Sequence, residues 1–159
     1  MWYDWIAEKI GLNTLLYNAN LVPNNVLPEW ITVIEILLCA VCGYLLGSIN
    51  SAIIVSGKLY GKDIRNFGSG NAGLTNMLRT FGKKAGVLTL IGDMLKAAVS
   101  IFVGAWLCGG NYIGSMDGAY LSGLFCVIGH IAPIYYRFKG GKGVLAAATM
   151  ILLLDPYVF

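Results

Sequence analysis

The stretch VIEILLCAVCGYLLGSINSAIIVSG, residues 33–57, is apolar almost throughout and carries one charged side chain, Glu35. A membrane-spanning helix needs roughly 20 mostly apolar residues, because the hydrocarbon core is about 30 Å thick and each residue rises about 1.5 Å. A lone lipid-facing strand would leave its backbone groups unpaired, so the stretch is predicted to be helical. Residues 85–107 and 118–136 meet the same test, and residue 144 onward reads as the start of a fourth span. The expected fold is all-α, a polytopic integral membrane helical bundle with two glycine-rich cytoplasmic loops.

Composition points the same way. The 159 residues are 57% hydrophobic and 12% charged, whereas an ordinary soluble domain is about 25% charged. Such a chain is not disordered and makes a poor soluble globule. The 21 glycines suit membrane helices. A net charge of +3 argues against a nucleic-acid partner, which favours a clustered basic surface and a higher pI. Cys39 and Cys42 form a CxxC inside an apolar run with no second pair, so they read as small buried thiols, and no metal or cofactor is expected.

Residues 33–159 are expected to form the transmembrane region, and residues 1–32 an extracytoplasmic or interfacial segment without the features of a signal peptide. Within that segment Trp2, Trp5, Ile6 and Ile10 fall near one helical face. That pattern suits a helix lying in the interface, and a poorly ordered terminus is the other reading. The final LAAATMILLLDPYVF stops without a polar tail, so the chain reads as a fragment in which a further span has begun.

Nine of the eleven lysines and arginines lie in two connections. Lys58, Lys62, Arg65, Arg79, Lys83 and Lys84 fall between the first two spans, and Arg137, Lys139 and Lys142 follow the third. The connection 108–117 has no basic residue. By the positive-inside rule both basic connections are cytoplasmic and the N-terminus is outside, which places the protein in the cell membrane as a multi-pass chain.

These connections carry more than charge. The first, KLYGKDIRNFGSGNAGLTNMLRTFGKKAG, packs Ser69, Asn71, Thr75, Asn76 and Arg79 among Gly68, Gly70 and Gly73. Glycine lets backbone approach a ligand and adopt positive φ, so successive N–H groups can form an anion nest. Hydroxyl and amide side chains add donors, and an arginine can grip phosphate with two prongs. The combination reads as a phosphate site. The second connection, RFKGGKGV, sets Lys142 among Gly140, Gly141 and Gly143. It reads either as a second phosphate loop or as a glycine turn with a topogenic lysine.

Other motifs are weaker. Residues 68–73 match GxGxxG, but the dinucleotide fingerprint needs a preceding strand and a soluble βαβ unit, and no GxxxxGK[ST] occurs. Asp93 and Lys96 stand one turn apart inside a span, where an ionisable pair is either functional or a structural ion pair facing the bundle. His130 is the sole histidine, which removes a Cys/His metal cluster and leaves a hydrogen-bonded packing role as its ordinary reading and a catalytic role as the other. Tyr135 stands where an HxxxxD acyltransferase would need aspartate.

The run GSINSAIIVSGKLYGKDIRNFGSGNAGLTNMLRTFGKKAGVLTLIGDMLK, followed by GHIAPIYYRFKGGKGV, resembles the bacterial acyl-phosphate:glycerol-3-phosphate acyltransferases over about residues 38–155. The resemblance implies an inner-membrane enzyme of phospholipid synthesis. It would move an acyl chain from acyl phosphate to the first hydroxyl of glycerol 3-phosphate, giving lysophosphatidic acid and phosphate. Carried over by motif, Ser69, Gly70, Asn71, Gly73, Thr75 and Asn76 would cradle the acyl phosphate, with Gly68 in the same loop. Arg79 and Lys142, beside Gly140 and Gly141, would hold glycerol 3-phosphate. Ser69, Arg79 and Lys142 are the expected catalytic set, and Arg65→Lys is expected to matter little. Family members continue through further spans that add a serine and a histidine-asparagine pair to the site. The competing readings are a small transporter or channel component for an anionic metabolite, motivated by Asp93 and Lys96, and an inactive truncated relative.

Overall fold

The structure, a computed structural model, describes residues 11–19, 21, 29–109 and 114–157. The tryptophan-bearing face formed by Trp2, Trp5, Ile6 and Ile10 lies outside these residues. The elements are α1 (Leu12–Asn18), α2 (Glu29–Ser48), α3 (Ser51–Tyr60), a 3-10 turn at Ile64–Asn66, α4 (Leu74–Phe81), α5 (Lys83–Leu107), α6 (Gly114–Ile131), a second 3-10 turn at Ile134–Tyr136, and α7 (Val144–Leu154). No strand occurs among the described residues. Among the described residues three helical stretches are long and apolar enough to cross a membrane: Trp30–Tyr60, Lys83–Leu107 and Asp117–Tyr136. These are the three expected spans, and α7 is a shorter apolar helix where a fourth was expected to begin.

The first span departs from expectation in one respect. It is two helices, broken at Ile49 and Asn50. Asn50 adopts extended backbone, and its Oδ1 accepts from the Ile53 N–H at 3.1 Å while its Nδ2 donates to the Ala72 carbonyl at 3.2 Å. Asparagine competes with helical hydrogen bonding in this way and is a preferred N-cap. The break frees the Gly47 and Ile49 carbonyls, which in an apolar interior must find donors. Lys96 supplies them, its Nζ donating to Gly47 at 3.0 Å and Ile49 at 2.7 Å.

Small residues set the helix contacts, as expected where lipid removes the usual hydrophobic driving force and close packing carries association. A Cβ added to Gly47 would lie 2.1 Å from the Cys126 carbonyl, and one added to Gly129 would lie 2.3 Å from that of Tyr44, so α2 and α6 touch backbone to backbone. Ser100 Oγ donates to the Ser122 carbonyl at 2.9 Å between α5 and α6. Ile101, Ala105, Ala119 and Leu154 form the core where α5, α6 and α7 meet. Leu37, Val41, Ile91, Leu95 and Leu124 face outward. A second cluster of Ala52, Ile64, Ala72, Met77 and Ala85 packs the first glycine-rich connection onto the bundle. Cys39 lies 3.3 Å from Cys108, and the two thiols pack with Leu107 and Leu12. The four cysteines are free.

Candidate functional site

The first connection is shaped by its own polar side chains. Asp63 caps the 3-10 turn, its Oδ1 accepting from the Arg65 N–H at 2.9 Å. Gly68 and Gly70 turn the chain at φ 57° and 71°. Asn76, 3% exposed, reaches back from α4, with Nδ2 donating to the carbonyls of Phe67 at 2.9 Å and Asn71 at 3.0 Å. Its Oδ1 accepts from the Ser69 N–H at 3.1 Å. The amide therefore fastens the loop. Gly68 must be glycine here, because a Cβ would lie 2.2 Å from that same Oδ1.

Three of the loop amides are spent internally. The N–H of Ser69 goes to Asn76, that of Gly70 to Phe67 at 3.0 Å, and that of Gly73 to Asn71 at 3.0 Å. A nest made from these N–H groups, the arrangement expected from the glycine pattern, is thus not the geometry observed. Donors are found one step further along. Gly73 is the N-cap of α4 and makes no side-chain cap hydrogen bond. The first-turn N–H groups of Leu74, Thr75 and Asn76 have no acceptor within the helix, and a helix N-terminus of this kind favours anions.

The second connection folds back under α6. The Gly140 N–H donates to the Ile131 carbonyl at 3.2 Å and the Gly141 N–H to that of His130 at 3.0 Å. Arg137 and Phe138 both hold positive φ, 57° and 59°, a conformation uncommon for residues with a Cβ and found where surrounding contacts over-determine the backbone. Gly143, φ 74°, then opens α7.

Arg65 joins the two connections. Its Nε donates to both Asp63 oxygens, at 3.0 and 3.1 Å, and its Nη1 donates across to the Tyr136 carbonyl at 2.9 Å. The guanidinium beside Asp63 holds that carboxyl below its ordinary range, and the carboxylate in turn raises Arg65. The bridge was invisible in sequence because Tyr136 is 71 residues away and contributes only backbone.

A cavity of about 260 Å³ opens between the connections, lined by Asn71, Gly73 and Thr75 from the first, Lys142 and Gly143 from the second, and Asp93 and His130 from the bundle. An apolar groove of about 520 Å³ adjoins it along Val127, Ala147 and Ile151, with Lys142, Gly143, Val144 and Ala148 shared. Gly70 and Gly140 line a separate polar pocket of about 350 Å³ with Asp63, Arg65, Arg137 and Lys139. Of the expected site residues, Gly68, Ser69, Asn76, Arg79 and Gly141 line none of these three. Ser69 and Arg79 are exposed, and Gly141 is buried against His130. The cluster of Asp93, Lys96 and His130 could not be assembled from sequence, since His130 is 34 residues from Lys96.

Residues 37–159 match the family model for glycerol-3-phosphate acyltransferase. The glycerol-3-phosphate acyltransferase of Pseudomonas paraeruginosa is 46% identical over 119 residues, which is 75% of this chain and 60% of that protein. Two solved structures of PlsY, an integral membrane glycerol 3-phosphate acyltransferase, are also similar. Its glycerol 3-phosphate form superposes with a TM-score of 0.66 at 40% identity, covering 77% of this chain and 59% of that one. Its lysophosphatidic acid form gives 0.62 at 35%, covering 77% and 58%. The chain spans about 60% of the length of the curated relatives it matches. With its apolar helices, the likeness makes it a multi-pass membrane protein. From the family match over residues 37–159 and the identity to curated relatives, this chain belongs to the glycerol-3-phosphate acyltransferase family.

Proposed function

We propose that the chain carries the acyl-transfer site of a glycerol-3-phosphate acyltransferase that takes acyl phosphate as donor and acylates the sn-1 hydroxyl, giving lysophosphatidic acid and phosphate. The observation that carries this reading is the continuity, at Lys142, between a cavity that Asn71, Thr75, His130 and Lys142 edge with polar groups and an apolar groove, a shape suited to an amphiphile with a phosphate head and an acyl chain. The similar solved structures, in glycerol 3-phosphate and lysophosphatidic acid forms, support the same pair of ligands.

The chemistry asks little of the protein covalently. The glycerol hydroxyl oxygen bonds to the acyl carbon, the bond from that carbon to phosphate oxygen breaks, and the departing phosphate accepts the hydroxyl proton. Holding two reactants in line can lower the barrier by several kcal/mol, on the order of 7–11 in well-oriented cases. Donors placed at the developing oxyanion add to this. Thr75 and the first-turn N–H groups of α4 take the acyl phosphate head, with Asn71 and Gly73 shaping its seat. Ser69, Gly70 and Asn76 act by holding the loop. Arg79, one turn beyond Thr75 on the same helix face, and Lys142 take glycerol 3-phosphate. Both connections face the cytoplasm, as their basic residues favour.

The test is product formation in lipid vesicles. The protein, lengthened to the span of its relatives, is expected to convert acyl phosphate and glycerol 3-phosphate to lysophosphatidic acid with release of one phosphate. Folded protein that forms none overturns the reading, and flux of unaltered glycerol 3-phosphate across the vesicle wall favours a transporter.

A further inference from the structure

His130 borders the cavity and stands apart from the groups assigned to the two phosphates. It is 3% exposed, near the end of α6, and lines the space that Asn71, Thr75 and Lys142 also line. Its two ring nitrogens face different surroundings. Nδ1 lies 2.9 Å from Lys96 Nζ, which also donates to the Gly47 and Ile49 carbonyls. An ammonium has three N–H donors and no acceptor, so Nδ1 must present its lone pair and the ring proton must sit on Nε2. A protonated imidazolium would set two donors against each other in a buried site.

Nε2 lies where the two glycine-rich connections meet. A Cβ on Gly141 would stand 2.2 Å from it and 2.6 Å from the Ala72 carbonyl. No hydrogen bond from Nε2 is found among the described residues, and the ring borders the cavity that Thr75 and Lys142 line, so the donor is open to a ligand there. Asp93 also lines the cavity and would repel an anion if left alone, but its Oδ1 lies 3.2 Å from Lys96 Nζ as an ion pair, and 3.7 Å from His130 Nδ1. The carboxylate and ammonium cancel. What the cluster offers the cavity is a neutral donor of fixed direction, beside the cation of Lys142.

We propose that His130 is a ligand-binding residue of this site: its neutral imidazole, fixed by Lys96 with the proton on Nε2, donates a hydrogen bond to a phosphate oxygen held between the two connections. Lys96 is then a positioning residue, which sets the tautomer and caps the broken helix with one ammonium. The assignment rests on the phosphate reading above and deepens it.

The single histidine makes the test direct. The 159-residue chain in detergent micelles, labelled at both imidazole nitrogens, is titrated with inorganic phosphate and followed by nitrogen NMR. The expected result is a protonated Nε2 and an unprotonated Nδ1, with phosphate shifting the Nε2 signal far more than Nδ1. His130→Asn keeps an acceptor toward Lys96 and removes the distal donor, so phosphate should bind about tenfold more weakly or worse, as for a lost hydrogen bond to a charged group. His130→Gln restores a donor near the Nε2 position and should change binding by about threefold or less. A proton on Nδ1, or phosphate that binds without moving Nε2, overturns the assignment even if neither variant folds. Equal losses in the two folded variants do so as well. Phosphate that shifts Nε2 in a protein making no lysophosphatidic acid would remove the acyl-transfer reading and leave this assignment standing. Product formation with an unmoved Nε2 would do the reverse.

Discussion

Gly141 shows how little room the junction of the two connections leaves. An added methyl would meet the His130 ring and the Ala72 carbonyl, and the latter is backbone that cannot swing aside. Gly141→Ala is expected to cost about 1–3 kcal/mol, the usual range for overpacking, and to lower phosphate affinity as well as the thermal midpoint in detergent. Arg65 gives a second prediction. Asp63 is held below the ordinary carboxylate value of about 3.9, so its contribution is complete above that value and is lost as pH falls through the lower folded one. Amides of residues 61–73 should therefore keep their protection through the ordinary carboxylate range and lose it only at lower pH, where the folded Asp63 carboxyl protonates. Asp63→Asn should show the loosened loop at neutral pH and no further acid step. Glycines and polar residues marked the candidate site in the sequence, but their division of labour was not legible. Asn76 and Thr75 are neighbours of similar chemistry, and only folding turns one into the loop and the other toward the cavity.

At the scale of elements, the three spans were readable because apolar length alone specifies them. The break in the first was not, since Asn50 in an apolar run reads equally as a tolerated polar residue. Its meaning depends on Ala72 and on Lys96 from another helix. Lys96→Met should expose the cost of that break. It strands the Asp93 carboxylate and two carbonyls, and removing one member of a buried pair typically costs about 3–5 kcal/mol. A shift of the unfolding midpoint no larger than that of an outward-facing control such as Leu95→Met would contradict this account of the break.

For the whole molecule, the two basic connections meet at one end of the bundle, joined by the bond from Arg65 to the Tyr136 carbonyl. Charge placement had predicted a common side, and the inter-loop contact is consistent with it. With the native thiols replaced, an impermeant maleimide should label Ser69→Cys and Asp117→Cys from opposite sides of a sealed membrane, Ser69→Cys from the cytoplasm. Labelling from one side would refute that orientation. The central claim is that the two connections build one reaction site. A double-mutant cycle between Thr75→Val and Lys142→Met, read as the rate of lysophosphatidic acid formation by the lengthened chain, tests it most directly. Groups at one cavity should couple by about 1 kcal/mol or more, whereas effects that add to within about 0.5 kcal/mol would mean that the connections act separately.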